Sequence, residues 1–247
     1  MEIIAHRGAS YDAPENTLSS VRLAWEQGAD AVEVDVHLSR DNRVVVTHDA
    51  DTKRVTGVKR LVRSLTLAEL QKLDCGRWKS PKYAGERLAT LEDVVATIPP
   101  GKRMLVEIKT GPEIAAHFPP VGKNVAPISF DLEAIARTKD ARPDLECYWV
   151  VGWRRDWKRG GWLPKPAQMI ERALEKNLDG LDVGANGPVT AAFVKKANAA
   201  GLKVYVWTVD SPAKARQLGG AGVDGIATNR PGWMREQLAK SEQKLGE

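Results

Sequence analysis

Cysteine is nearly absent from this chain: Cys75 and Cys147 are the only two in 247 residues. Neither has a second cysteine nearby, which excludes a zinc knuckle and a Cys-x-x-Cys redox pair. A chain of this length also buries enough surface to need no covalent staple. No apolar run approaches the roughly 18 residues of a membrane span, and the first expected strand begins within two residues of Met1, leaving no room for a signal peptide. The expectation is a cytoplasmic protein without stable membrane insertion. Long basic runs and repeated RNA-binding motifs are missing too. The net charge of +5 is spread along the chain, so nucleic acid is not expected as a partner, whereas a phosphate-bearing substrate would be suited. With 43% hydrophobic and 28% charged residues, the composition is that of a folded globular protein and not of a disordered one.

What is present is best read from residues 31–49, AVEVDVHLSRDNRVVVTHD. Ala31, Glu33, Asp35 and His37 alternate with Val32, Val34, Val36 and Leu38, the pattern of a strand with one acidic and one oily face. A second β-branched run, Val44 to Thr47, follows Asp41-Asn42, so the two runs read as a hairpin. With Asp41 and Asn42 as a two-residue turn, Arg40 pairs with Arg43, and His48 falls opposite Asp35 on the acidic face. Glu-x-Asp alone on such a hairpin would ordinarily be a wetted surface. Convergence with the rest of the chain changes that weighting.

Further strands are expected at 2–5, 104–109, 125–130, 146–151, 178–183, 202–209 and 223–227, which with 31–38 make eight. Helical spacing separates most of them. Eight alternations favour an α/β fold of the TIM (β/α)8 barrel type, a single domain over 1–247, above an open doubly wound sheet. Residues 50–90 are polar and basic, hint at one short helix, and read as a small insertion after the hairpin. The link 110–124 is interrupted by prolines. Trp149, Trp153, Trp157 and Trp162 fall within fourteen residues, most of them in a basic loop at 152–166.

Active sites of such barrels lie at the C-terminal ends of the strands. His6, Arg7, Glu33, Asp35, Glu107 and Lys109 fall there, as do Phe130, Asp182, Trp207 and Asn229, and the hairpin brings His48 back to the same mouth. Three carboxylates, Glu33, Asp35 and Glu107, cannot all ionise at one point without a cation between them. Oxygen ligands without cysteine suit one divalent cation, Mg²⁺ or Ca²⁺. Arg7 and Lys109 are then free to hold an anion, with Phe130 and Trp207 as further substrate contacts. His6 and His48 flank it as an acid and base pair, with His48 expected to be the base. Taken singly, each residue is more often structural: a strand-end histidine bonding a carbonyl, or Glu107 and Lys109 as an ordinary ion pair. His37 and Asp182 are assigned structural roles and His117 the surface.

The motifs HRGAS, PENTL, GAD.VEVDVHLSRDN..VVVTHD, RLATLEDV, VEIK, ISFD, VYVWTVD and GVDGIATNRP occur in the order found in a known family. Nearly the whole chain resembles the glycerophosphodiester phosphodiesterases of the bacterial cytoplasmic type. The resemblance implies a TIM-type barrel with a small insertion at 50–90 and hydrolysis of glycerophosphodiesters to sn-glycerol 3-phosphate and an alcohol. It also implies metal ligation by Glu33, Asp35 and Glu107, acid and base roles for His6 and His48, and phosphate binding by Arg7 and Lys109. The loop GWRRDWKRGGWLPKP has no counterpart in that family. Its tryptophans could line a greasy channel of the kind that lysophospholipid hydrolysis of the lysophospholipase D type requires. A non-catalytic phosphodiester-binding relative is the remaining alternative.

Overall fold

A computed structural model describes residues 1–158 and 160–243, the side chains of 241–243 excepted. Strands β1 (Glu2–His6), β2 (Ala31–Leu38), β3 (Val44–Val46), β4 (Arg103–Ile108), β5 (Val125–Ser129) and β6 (Tyr148–Val151) occupy the first part of the chain. Then come the short β7 (Arg154–Arg155) and β8 (Trp162–Leu163), followed by β9 (Gly180–Gly184), β10 (Lys203–Trp207) and β11 (Gly225–Thr228). Parallel pairing runs β1-β2-β4-β5-β6-β9-β10-β11 and returns to β1, closing an eight-stranded barrel. Helices α1 (Leu18–Glu26), α2 (Lys53–Thr56), α3 (Leu67–Leu70), α4 (Leu91–Val95), α5 (Leu132–Ala141), α6 (Pro166–Glu175), α7 (Ala191–Ala199), α8 (Pro212–Gly220) and α9 (Pro231–Gln243) complete the chain. This is a TIM barrel, and all eight expected barrel strands are in place within a residue or two.

Alternation along the strands sorts side chains between two apolar layers. Val32, Val34 and Val36 point outward and pack with Val21 and Ala24 of α1 and Leu91 and Val94 of α4. Ala31, Leu105, Ala126, Ile128, Tyr148 and Tyr205 fill the interior. At the bottom of the barrel Tyr148 and Tyr205 sit 5.0 Å apart with Arg103 over both rings. The interior is thereby plugged below and polar above. Every residue of β2 is buried, so its acids are not the wetted face of a surface hairpin.

The helices begin where side chains satisfy their free N–H groups: Thr17, Thr66 and Thr90 cap α1, α3 and α4 in reciprocal boxes, and Asp131 caps α5. Between β4 and β5 only a 3₁₀ segment, Pro112–Ala116, replaces a helix, as the prolines demand.

The hairpin departs from the expected register by one residue. Val36 faces Val46 and Leu38 faces Val44, and Thr47, not His48, donates to the Asp35 carbonyl. The turn has three residues, closed by Ser39 N–H to Arg43 O at 3.0 Å, with Asn42 at φ 57°. Asparagine tolerates that left-handed conformation, so the longer turn is accessible. It also sets Leu38 against Val44 on the buried side, which a two-residue turn would not. Residues 50–90 fold around a small core of their own, Val55, Val62, Leu70, Cys75 and Leu88 against Val45. They hold α2, α3 and two 3₁₀ turns in place of the one short helix expected. The tryptophan-rich loop forms the antiparallel pair β7 and β8.

Candidate active site

The carboxylates and cations singled out at the strand ends, except the fully buried Asp35, line one cavity of about 170 Å³ at the barrel mouth. It is lined by His6, Arg7, Glu33, His48, Glu107, Lys109, Phe130, Asp182 and Trp207 among others. Glu33, Asp35 and Glu107 present oxygens that all lie within 4.8 Å of one another. The register explains this, since Asp35 is the direct neighbour of Glu107 across β2 and β4, and Glu33 lies one pleat below Asp35 on the same face.

Two cations face the three acids. Lys109 Nζ lies 3.0 Å from Asp35 Oδ1 and also donates to Glu107 Oε1. Arg7 Nε is 3.2 Å from Asp35 Oδ2, while the Arg7 backbone N–H donates to Glu33 Oε2 at 2.8 Å. Arg7 can do both because its φ is 58°; a non-glycine residue in that region is strained and held by its surroundings. The next residue, Gly8, has φ 77° and runs so close to Ser20 that a Cβ would lie 2.5 Å from its hydroxyl, so only glycine fits.

One negative charge is left over, and the ionisation equilibria reflect it. Burial, reinforced by Asp35 and Glu107, raises the Glu33 carboxyl well above its ordinary range. Burial and Asp35 push Glu107 up to about 7 against the opposing pull of Lys109. Burial also opposes charge on Asp35, but Lys109 and Arg7 outweigh it and hold that carboxyl low. Glu33 Oε1 is buried with no hydrogen-bond partner, a condition that buried oxygens seldom tolerate. An oxygen-only donor set with an unsatisfied carboxylate and an uncompensated charge fits one divalent cation.

The two histidines are held by separate supports. His6 Nδ1 is 2.8 Å from Asn229 Oδ1. Asp210 fixes that amide's orientation, accepting from Asn229 Nδ2 at 2.6 Å, since a carboxylate can only accept. His6 therefore carries its proton on Nδ1 and turns Nε2 to the cavity. Burial and then Arg7 lower its pKa. His48 Nδ1 is 2.7 Å from Asp49 Oδ1, which fixes the same tautomer. The support continues: Arg54 donates to Asp49 Oδ2 at 2.6 Å and to both oxygens of Glu15 at 2.8 and 2.9 Å. Glu15 in turn accepts from Arg7 at 3.0 Å. Arg54, from the 50–90 segment, thus ties His48 to Arg7.

Sequence reading did not find Arg54, Glu15, Asp49 or Asn16 as supports. Asn16 is buried and grips Asp35 from both ends, Nδ2 to Oδ2 at 2.8 Å and Oδ1 from the Asp35 backbone N–H at 3.0 Å. The PEN tripeptide before α1 is the one signal that pointed to it. His37 does not line the cavity; its Nε2 donates to the His48 backbone carbonyl at 3.0 Å. His117 is exposed.

The opposite wall is different in kind. In the closed strand order β9 lies diametrically across from β2. From that half Phe130 and Trp207 meet edge to face at 5.3 Å, with Lys109 Nζ 5.8 Å from the Phe130 ring centre. Asp182 stands beside them, 4% exposed, with Oδ1 unpaired. Burial, and then Glu107 across the barrel, raise its carboxyl well above the ordinary range. None of the tryptophans at 152–166 lines the cavity.

Comparison with known proteins agrees with this geometry. The family model described as the glycerophosphoryl diester phosphodiesterase family matches residues 6–233. A glycerophosphodiester phosphodiesterase of Caldanaerobacter subterraneus is 32% identical over 240 residues, covering 93% of this chain and 94% of the relative. A solved Oleispira antarctica phosphodiesterase in complex with the product sn-glycerol-3-phosphate superposes with a TM-score of 0.83 at 29% identity, covering 97% of each chain. A glycerophosphodiester phosphodiesterase of Thermotoga maritima superposes at 0.77 with 26% identity, covering 96% of this chain and 97% of that one. A charged half-barrel of acids, cations and imidazoles, together with a family match across nearly the whole length, establishes that the chain belongs to the glycerophosphoryl diester phosphodiesterase family and is an enzyme of that class.

Proposed function

We propose that the mouth cavity hydrolyses glycerophosphodiesters to sn-glycerol 3-phosphate and an alcohol, with Glu33, Asp35 and Glu107 holding one Mg²⁺ or Ca²⁺. The observation that carries this reading is the convergence of a three-acid cluster, two cations and two separately supported imidazoles at one small cavity. A bound divalent cation would neutralise the surplus acid charge and act as a Lewis acid toward phosphoryl oxygens. Arg7 and Lys109 hold the phosphate, and Phe130 and Trp207 orient the organic arm that crosses to the other wall. His6, kept neutral by burial and Arg7, takes the proton of the attacking oxygen at Nε2. His48 delivers a proton from Nε2 to the departing alkoxide. That order reverses the one expected from sequence, and the reason is the depressed basicity of His6, which keeps its ring uncharged near neutrality. The reading places the enzyme in the cytoplasm as one domain, with 50–90 as an insertion that supplies Arg54; both cysteines are free and buried, which suits a reducing compartment.

Hydrolysis of lysophospholipids by the same chemistry is the second reading. The cavity is smaller than the 300 Å³ or more typical of sites that enclose drug-sized ligands, so it takes the glycerol phosphate end and leaves an acyl chain outside. Turnover of glycerophosphocholine with and without EDTA tests the first reading, and comparison with lysophosphatidylcholine ranks the two. A nitrophenyl phosphodiester, whose leaving group needs no proton, should restore His48→Ala but not His6→Ala. If neither substitution lowers the rate on glycerophosphocholine tenfold, the acid and base assignment fails.

A further inference from the structure

Exposed apolar side chains are concentrated on one end of the molecule. Among the described residues the large hydrophobics most open to solvent are Met1, Tyr11, Val58, Leu61, Trp78, Phe130, Trp157 and Leu174. Six of these, all but Met1 and Leu174, lie in segments that leave the C-terminal ends of barrel strands. Trp157 is 88% exposed in the β7–β8 hairpin. Trp78 and Tyr11 sit on another part of the rim, where Lys79 Nζ lies about 6 Å from both rings and Arg230 is 4.2 Å from Tyr11. Lys79 also donates to the Ser10 carbonyl at 2.8 Å, which fastens the 50–90 segment to the loop after β1. The aromatics therefore stand on an anchored rim around the mouth.

Charge is divided in the same direction. Residues 39–90 contain twelve Lys and Arg against six Asp and Glu, and residues 152–165 five against one. These two stretches carry +10 in a chain whose total is +5, so everything else carries −5. The hairpin alternates the two features, with exposed Arg154, Arg155 and Lys158 around Trp157 and Arg155 stacked 4.6 Å over Trp162. Tryptophan amid cations is the composition of a segment that settles at the headgroup level of an anionic bilayer. Aliphatic Val58 and Leu61 on the same rim have no stacking use for nucleic-acid bases but fit an acyl boundary.

We propose that the barrel's C-terminal rim, led by the Trp157 hairpin, docks on the surface of an anionic lipid bilayer, with the mouth toward the membrane. No helix of the described residues is long and apolar enough to cross a membrane, and the association is peripheral and reversible. Docking would place the cavity where phosphodiesters released from, or still attached to, lipid are most concentrated. It does not depend on the hydrolysis reading, because it is measured without turnover.

The test is co-sedimentation of the full chain in EDTA with vesicles of 30% phosphatidylglycerol in phosphatidylcholine, against pure phosphatidylcholine. Binding should require the anionic lipid and disappear at 500 mM salt. Trp157→Ala should weaken it roughly tenfold, as for one large aromatic withdrawn from an apolar phase. Arg154→Glu with Lys158→Glu should weaken it at least twenty-fold, at roughly fivefold per cation. Turnover of soluble glycerophosphocholine by these variants should equal the wild type, which checks that they fold. Failure of the wild type to bind anionic vesicles at 50 mM salt overturns the proposal. So does binding that ignores both sets of substitutions, or displacement from vesicles by a single-stranded oligonucleotide that the Trp157→Ala variant binds equally well.

Discussion

Glu107→Gln isolates the electrostatic load of the acidic cluster from the fold around it. The substitution keeps the size of the side chain and its reach to Lys109 and removes only the charge. In the wild type the Glu107 carboxyl ionises near 7, against an ordinary 4.5, because burial and Asp35 oppose its charge. A raised acid means that the native state keeps a proton that the unfolded chain gives up. Without metal, the contribution of Glu107 to stability is therefore most favourable below about 4.5, declines as pH rises toward 7, and is level above that. At 1.36 kcal/mol per tenfold in affinity for the proton, the decline approaches about 3 kcal/mol. Relief of the repulsion on Glu33 acts in the same direction. For a chain of this length 1 kcal/mol moves Tm by roughly 2 °C. In EDTA at pH 8, Glu107→Gln should melt up to about 6 °C above wild type, and at pH 4.5 the two should coincide. Added Ca²⁺ or Mg²⁺ should reverse the order, since a ligand at a hundred times its Kd stabilises by about 2.7 kcal/mol and the variant has lost a ligand. Differential scanning fluorimetry across pH 4.5–8.5, with and without the ions, reads all of this. If the difference between the two proteins is flat in pH and both gain equally from metal, the three-carboxylate site is wrong.

Arg54→Ala should lower kcat about tenfold by loosening His48 and Arg7 together, yet move Tm by no more than 2 °C, because Arg54 is itself 42% exposed, pairs of an exposed cation contribute little to stability, and Glu15 keeps Arg7 as a partner. Asp182→Asn should raise Tm at pH 8 and leave it unchanged near pH 3.8, since its raised carboxyl makes native Asp182 a liability only once the unfolded chain is ionised; a fall in Tm at pH 8 would contradict its burial without a counter-charge. Phe130→Ala removes the edge-to-face contact with Trp207 and should raise KM for glycerophosphocholine two- to tenfold with kcat little changed. An equal drop in kcat would instead make Phe130 part of the reacting constellation.

What could be read from sequence was whatever repeats with a short period. Strand alternation placed Glu33, Asp35 and Glu107 on the inner face, and eight strands, most of them followed by a helix, closed the barrel. His6, Arg7 and Lys109 followed from being at strand ends. The hairpin register failed because it hung on turn length, and Asn42 allows a three-residue turn as readily as two residues would have allowed another. His48 reaches the mouth regardless, because β3 ends at Val46 and the chain is free to bend beyond it. Arg54 was out of reach for a different reason. Its partners Asp49 and Glu15 are separated from it by 5 and 39 residues, and the segment that carries it has no period from which to infer a face. Asn16 needed a φ of 58° to turn both ends of its amide to Asp35, a conformation that sequence hints at only through residue type.

The division of the barrel into two half-walls follows from the same alternation. Inward positions of β2 and β4 above the plug carry the clustered acids Glu33, Asp35 and Glu107, whereas β5 and β10 contribute Ile128 and Trp207 and β9 adds Asp182. Below them Tyr148 and Tyr205 seal the interior, with Arg103 donating to the Tyr148 hydroxyl at 2.9 Å, so polar groups of the upper layer can remain incompletely satisfied without flooding the core. The surplus negative charge there is stability given up by the ligand-free protein. A cation that restores balance acts on the acids of β2 and β4, whereas the aromatic contact of Phe130 with Trp207 lies on the other wall, so choice of the organic arm can vary without exchange of a carboxylate of the cluster. On the proposed function, exchange of Phe130 or Trp207 is expected to redirect specificity while leaving metal affinity intact. A variant such as Trp207→Leu should shift the ranking of glycerophosphocholine against glycerophosphoethanolamine with the same half-maximal metal concentration as wild type. A change in that metal concentration would mean that the two walls are not independent.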